Sequence, residues 1–212
     1  EKKMVDIHCH LLNGVDDGAE NLEDSIKSLK TAQKAGFTDI ILTPHYIEGY
    51  YDNTLDVIKE KIENLRNEAR RVGLYINIYH GNEIYMCDNI EDLLINKTVA
   101  SLAYSRFVLF ELPMDVKSIN ANATISKLRQ RGFVPIVAHP ERYSYIQEDY
   151  KELEHIIRAG AMVQCNYGSI IGQYGIKAQK AVIYFLKNYM VDMLGSDTHR
   201  KGYVYEKMPI IL

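Results

Sequence analysis

The 212-residue sequence predicts an α/β fold built on a parallel sheet. Three observations predict it: seven short apolar runs, amphipathic stretches at helical spacing between them, and turn glycines that close those stretches. Regular β–α alternation with mostly apolar strands implies a parallel sheet covered by helices. A barrel and an open doubly wound sheet both fit. No glycine-rich phosphate fingerprint follows the first strand, which weakens the dinucleotide-binding version of the open sheet.

The run MVDIH (4–8) reads as the first strand. A helix follows over 20–36, with Leu22, Ile26, Leu29 and Gln33 on one side and Gly36 as its stop. DIILTPH (39–45) reads as the second strand. The helix over 55–73 carries Leu55, Ile58, Ile62, Leu65, Ala69 and Val72 at helical spacing and ends at Gly73. LYINIYHGNE (74–83) is the third strand, a short helix spans about 90–97, and RFVLFELP (106–113) is the fourth strand. A helix near 117–131 leads to FVPIVAHP (133–140), and a helix at 149–159 leads to AMVQCN (161–166). A last helix near 176–188 leads into the seventh strand, MVDMLGSDTH (190–199). No repeat, low-complexity stretch or linker marks a second domain, so residues 1–212 read as one domain.

Hydrophobic residues make up 47% and charged residues 25%, as in ordinary soluble globular proteins. A net charge of −3 provides no basic footprint, so no nucleic-acid partner is expected. No apolar run approaches the ~18 residues of a membrane span, and the opening EKKMVDIHCH lacks a signal-peptide core. The expected location is therefore cytoplasmic. Cys9, Cys87 and Cys165 are odd in number and far apart, which argues for a reducing compartment rather than a disulfide framework. They also exclude one chemistry: cysteine phosphatases carry an arginine six residues past the thiolate, and the residues at that spacing here are Val15, Leu93 and Ile171.

The polar residues carry the functional information. His8 and His10 are two apart on a strand, so they share a face while Cys9 points away. A convergent imidazole pair suits a transition metal. The same kind of residue recurs at the C-terminal ends of other predicted strands. An aspartate, Asp16 or Asp17, lies in the loop after the first strand, and His45 ends the second. Glu83 follows the third, Glu111 lies near the end of the fourth, His139 ends the fifth, and Asp197 and His199 end the seventh. Polar strand ends alone would offer Ser, Asn, Gly and Lys as readily. They also make no sense of Glu111 in the apolar run LFELP, where a carboxylate needs a cationic partner. In a parallel barrel these ends share one rim, where active sites are built.

Four carboxylates and five imidazoles without thiolate suit Mn²⁺, Fe²⁺ or Zn²⁺ and exceed the needs of one ion, so two or three ions are expected. Ions ~3.5–4 Å apart clamp a hydroxide and neutralise a transferred phosphoryl group. Arg142, in HPERY, and Arg200, beside His199, are the candidate phosphate clamps. Backbone N–H groups of YGSIIGQYG (167–175) offer a weaker phosphate nest. His80 reads as structural and His155 as solvated. The tyrosines of PHYIEGYYDN (44–53) fit either an aromatic substrate or an ordinary amphipathic loop.

In order along the chain, DIHCH, DDG, TPHY, GNEIY, FELP, AHPERY and SDTH resemble the PHP (polymerase and histidinol phosphatase) family. The match is to its bacterial capsule and exopolysaccharide branch of manganese-dependent protein-tyrosine phosphatases, and it runs to about residue 200. The resemblance implies a distorted seven-stranded (β/α)7 TIM-like barrel with a trinuclear site. It selects Asp17 over Asp16, because the family's ligand is the aspartate next to the glycine. It implies one metal at His8, His10, Glu83 and Asp197, a second at Glu83, Glu111 and His139, and a third at Asp17, His45 and His199. It further implies Mn²⁺, phosphate binding by Arg142, and a substrate in the tyrosine-rich tail of a bacterial tyrosine autokinase.

Two departures stand out. The family's further phosphate-binding arginine, seven residues past the last-strand aspartate, is Val204 here, so either Arg200 substitutes for it or phosphate affinity is lower. Relatives also continue past Leu212 with another helix, so the apolar MPIIL segment wants a cover, and a homo-oligomer is one candidate. The expected activity is phosphomonoester hydrolysis on phosphotyrosine. The alternatives are histidinol phosphate or another small phosphate ester, and a non-catalytic metal-binding regulatory scaffold. Amidohydrolases also open with HxH, but they use a carboxylated lysine where this chain has Glu111.

Overall fold

The computed structural model describes residues 3–200 and 202–212. The first half runs β1 (Met4–Asp6), α1 (Leu22–Lys34), β2 (Phe37–Leu42), β3 (His45–Ile47), β4 (Tyr51–Asp52), α2 (Leu55–Arg71), β5 (Asn77–His80), β6 (Glu83–Tyr85) and α3 (Ile90–Ile95). The second half runs β7 (Phe107–Glu111), α4 (Ala121–Gln130), β8 (Val134–Ala138), α5 (Ser144–Glu148), α6 (Lys151–Ala159), β9 (Met162–Asn166), α7 (Tyr167–Ile170), α8 (Ile176–Lys187), β10 (Met193–Gly195), α9 (Tyr203–Glu206) and α10 (Met208–Ile211). The α/β alternation is present throughout. The Asn21 side chain accepts from the N–H of Asp24 and caps α1, whose inner face buries Ile26, Leu29 and Ala32. In α2 the buried stripe is Ile58, Ile62, Leu65 and Ala69.

The strands form two sheets, β1-β2-β5 and β10-β9-β8-β7-β6-β3-β4, parallel except at the β3–β4 hairpin. Two expected strands are each cut in two. The second breaks at Thr43-Pro44, because proline has no N–H for a ladder and the Thr43 N–H donates to the carbonyl of Cys9 instead. The third breaks at Gly81-Asn82, where the Asn82 side chain bonds Pro44 O, Asn53 O and the N–H of Ala100. These breaks carry the chain from the small sheet into the large one. Single hydrogen bonds join the other edge: the Asp197 N–H donates to His8 O and the His10 N–H to Thr198 O. The described residues form two sheets rather than one closed ladder, so the fold is a mixed α/β domain with a segmented parallel sheet.

Alternation along the strands separates two interiors. In β7, Val108 and Phe110 pack toward the helices, while Leu109 packs with Ile136, Ala138, Ile41 and Leu102 on the other face. Glu111, two residues after Leu109, shares that inner face. No described helix is long and apolar enough to cross a membrane. The three cysteines are free thiols.

Candidate metal centre

The strand breaks explain how the ligand-type residues meet. His45 and Glu83 each open the resumed segment of their strand, and they stand opposite one another in the β3–β6 ladder. Tyr85 is paired with Glu111 in the next ladder. His139 and Asp197 sit just past β8 and β10 with left-handed backbones, φ 36° and 49°, a conformation costly for residues with a Cβ. Two glycines permit the close approach. A Cβ on Gly18 would lie 2.0 Å from the His10 carbonyl oxygen, and one on Gly195 would lie 2.8 Å from the His8 Cβ.

Three groups of side chains bring ligand atoms together: His8, His10, Glu83 and Asp197; His45, Glu83 and Glu111; and His10, Asp17, His45 and His199. The first is wholly buried. Glu83 is central. Its Oε2 lies 3.2 Å from His8 Nε2, 3.1 Å from His10 Nε2 and 3.1 Å from His45 Nδ1, while Oε1 lies 2.8 Å from His139 Nε2. Of the nine residues singled out in the sequence, His139 is the one outside the three groups; it meets the centre through Glu83. The grouping therefore differs in detail from the implied one, with His45 rather than His139 beside Glu83 and Glu111.

The donors fit a cation. Glu83 Oε2, His45 Nδ1 and His139 Nδ1 are buried without a hydrogen-bond partner. The short Glu83–His45 separation is misdirected for N–H···O bonding, so these atoms aim at shared space rather than at each other. Buried oxygen and imidazole ligands of this kind match hard-to-borderline divalent ions.

Three imidazoles are held with one nitrogen turned inward. His8 Nδ1 is 2.8 Å from Gln164 Oε1, whose orientation is fixed by donation from its Nε2 to Asn166 Oδ1. His10 Nδ1 is 2.8 Å from Asp16 Oδ2, and His199 Nδ1 is 3.0 Å from the Asp197 carbonyl. With Nδ1–H donating outward, each Nε2 turns into the site, where those of His8 and His10 lie 3.3 Å apart. Asp16 is thus the orienting carboxylate for His10 and also accepts from the His45 N–H, while the exposed Asp17 lies 3.5 Å from His45 Nε2 and 3.3 Å from His199 Nε2.

The electrostatics describe competing charges in a largely buried site. Burial lowers the His8 pKa, but Glu83 and then Asp197 outweigh it and raise it to about 9. Burial, followed by Glu83 and Asp197, pushes the Glu111 carboxyl up to about 8. Burial, then His10, lowers His45 to about 4, leaving it a neutral imidazole. The hydrogen bond from His199 leads in lowering Asp17 to about 2. A carboxyl that keeps its proton at Glu111 and an imidazole that gains one at His8 mark a place suited to a compact positive charge.

The predicted phosphate clamps differ. Arg142 Nη1 donates to Asp197 Oδ2 at 2.9 Å, and Asn166 Nδ2 donates to the same oxygen at 2.7 Å, which leaves Oδ1 for the histidines. Arg200 is exposed and pairs with Glu20 at 2.7 Å. Both arginines line one cavity of about 220 Å³ with Tyr174, Asp197, His199 and Val204. The glycine-containing 167–175 segment begins with a helical turn, α7, rather than an open nest. His80 is buried with its ring edge-on to Tyr104, and His155 is exposed beside Glu152.

Sequence reasoning missed several supporting residues. Tyr143, in HPERY, is fully buried; its hydroxyl donates to Ala138 O and accepts from the Leu112 N–H, tying the ends of β7 and β8 together. Gln164 and Asn166 face the site from β9, the one of the seven expected strands with no predicted ligand at its end. Their i, i+2 spacing on an otherwise apolar strand was the available signal.

The profile of a family described as "Capsular polysaccharide synthesis, CpsB/CapC" matches residues 4–209. The chain belongs to the CpsB/CapC family. It is 34% identical over 196 residues to a putative tyrosine-protein phosphatase CapC of Staphylococcus aureus, covering 92% of this chain and 77% of that one. It is 31% identical, with the same coverage, to tyrosine-protein phosphatase YwqE of Bacillus subtilis. Its fold superposes with TM-score 0.90 and 30% identity on a solved structure from work on YwqE of B. subtilis and CpsB of Streptococcus pneumoniae, described as metal-dependent tyrosine phosphatases; 96% of this chain and 87% of that one are covered.

Proposed function

We propose that this CpsB/CapC-family chain is a metal-dependent protein-tyrosine phosphatase, with His8, His10, Asp17, His45, Glu83, Glu111, His139, Asp197 and His199 as its metal-holding residues. The observation that carries the reading is the buried convergence on Glu83 Oε2 of three imidazole nitrogens within 3.2 Å, none of which is hydrogen-bonded to that oxygen. Divalent cations held there supply Lewis acidity toward phosphoryl oxygens and lower the pKa of bound water. Manganese is the metal proposed, in two or three ions, with Fe²⁺ and Zn²⁺ the competitors. The tyrosine-phosphatase names of the family relatives support the substrate class.

The chain's own residues divide the work. Gln164, Asp16 and the Asp197 carbonyl orient His8, His10 and His199. Arg142, half-buried and beside Asp197, binds the phosphate oxygens and neutralises charge that grows in the transition state. Arg200 lines the same cavity and takes the place of the arginine that Val204 replaces, once it leaves Glu20. Burial of His8, His10, Glu83 and Asp197 excludes bulk water from that part of the site and strengthens these interactions.

In this reading the segmented sheets close as one distorted seven-stranded barrel, supported by the bonds between the ends of β1 and β10, and residues 1–212 form one domain. The substrate is a phosphotyrosine-bearing tail of a bacterial autokinase in capsule or exopolysaccharide synthesis, met in the cytoplasm, with homo-oligomer packing over the exposed Ile210 and Leu212. The test compares a phosphotyrosine peptide, histidinol phosphate and an amide substrate in Mn²⁺, with and without chelator. Preferential, chelator-sensitive hydrolysis of the phosphotyrosine peptide is expected. Hydrolysis of the amide alone, or activity that survives full metal removal, overturns the proposal.

A further inference from the structure

The cavity of about 220 Å³ beside Asp197 and His199 has an apolar component that phosphate binding does not use. Its size falls below the roughly 300–1,000 Å³ of pockets for drug-sized ligands, so it suits a single ring with its phosphate. A phosphate group is served by Arg142 and the neighbouring donors. A phenyl ring attached to that phosphate needs apolar contact, and the cavity provides it through Tyr174, Tyr203 and Val204.

Tyr174 differs from the other two because it also touches the phosphate clamp. The Arg142 guanidinium carbon lies 4.4 Å from the centre of the Tyr174 ring, a cation–π contact on the side chain that also reaches Asp197. The turn that presents Tyr174 is fixed on both sides. The Gln173 N–H donates to Gly168 O, the Gly175 N–H to Gly172 O, and Gln179 Nε2 to Ile170 O. The ring is therefore pre-positioned, which lowers the cost of using it for binding.

We infer that Tyr174 is a specificity-determining residue of this site: its ring orients Arg142 and forms the wall against which the aromatic ring of an aryl phosphate packs, so aryl monoesters are taken in preference to alkyl ones. This rests on the phosphatase reading and assigns it a source of substrate selection. A serine or threonine phosphate reaches the same cations and arginine but brings no ring to the wall. A lost aromatic pairing corresponds to roughly a two- to tenfold change in relative affinity.

The test uses phenylphosphonate and methylphosphonate, whose C–P bonds resist hydrolysis, titrated calorimetrically into the Mn²⁺-loaded protein. Wild type should bind the phenyl compound more tightly. Tyr174→Leu should shrink that preference by roughly two- to tenfold, and Tyr174→Phe should keep it. Tyr174→Met serves if the leucine variant does not fold. Equal weakening of both compounds in the leucine or methionine variant would reduce Tyr174 to a support for Arg142 and overturn the inference. So would an unchanged ratio, or a wild type without phenyl preference. Failure of wild type to bind either phosphonate would instead defeat the phosphatase reading beneath it.

Discussion

Glu83→Gln is the most informative single change. Glutamine keeps the volume and a carbonyl oxygen but removes the negative charge shared by His8, His10 and His45. The structure sets the scale. His8 is raised from 6.5 to about 9 despite full burial, with Glu83 the larger and Asp197 the lesser acidic cause. At ~1.4 kcal/mol per pKa unit, the site favours one positive charge at His8 by about 3 kcal/mol, net of desolvation. Because burial opposes both acids, losing the larger of the two removes at least half of that net preference, on the order of 2 kcal/mol or more, and a dication feels the charge more strongly. Mn²⁺ affinity should therefore fall by about 100-fold. The assay is calorimetric titration of Mn²⁺ into metal-free protein at pH 7.5, with metal content after dialysis as a second readout and circular dichroism to verify the fold. A folded variant with wild-type Mn²⁺ affinity would refute the reasoning, because the central carboxylate would then lie outside the coordination sphere.

Other perturbations test separate parts of the account. His8 and Glu111 both have folded-state values raised above their unfolded ones, to about 9 and about 8, so the stability they contribute is present at low pH and is lost as pH rises through those values. The melting temperature of metal-free protein should fall between pH 6 and pH 9 while apparent Mn²⁺ affinity rises over the same window, because cations displace those protons; an affinity flat across it would contradict the assignment. Asp16→Asn should weaken Mn²⁺ binding by about 10–100-fold through His10 while leaving the saturating stoichiometry unchanged, and loss of a whole ion would make Asp16 a ligand in place of Asp17. Tyr205→Phe removes the hydroxyl that donates to the buried Asp6 carboxylate at 2.7 Å, and should cost about 2 kcal/mol, a fall of roughly 4–8 °C in melting temperature, with turnover at 25 °C preserved; an unchanged melting temperature would show that bond to be dispensable.

Much of this architecture was legible because apolar periodicity survives folding. The stripes Leu22–Ile26–Leu29 and Ile58–Ile62–Leu65 face their cores as helical spacing requires. Ligand-type side chains at strand ends were legible because a charged Glu111 inside an apolar run has few structural explanations. The strand breaks were not. Pro44 signals a missing donor, but only the tertiary bond from Thr43 to Cys9 turns that into a change of sheet. The β3–β4 hairpin, α5, α7 and the two C-terminal helical turns escaped because elements of two to five residues carry no periodicity. Asp16 and Asp17 are adjacent and chemically identical in the sequence. Their division into an orienting carboxylate and a group facing His45 and His199 depends on the loop geometry that Gly18 permits. Arg200 was chosen for its position beside His199, and proximity in sequence could not reveal the competing Glu20.

The most direct measurement is anomalous diffraction at the manganese edge from crystals of the Mn²⁺-loaded protein. At least two peaks are predicted, one among His8, His10, Glu83 and Asp197 and another sharing Glu83 or His45 with its neighbours. Peaks confined to the surface, with those buried side chains bonded to one another or to solvent alone, would contradict the account.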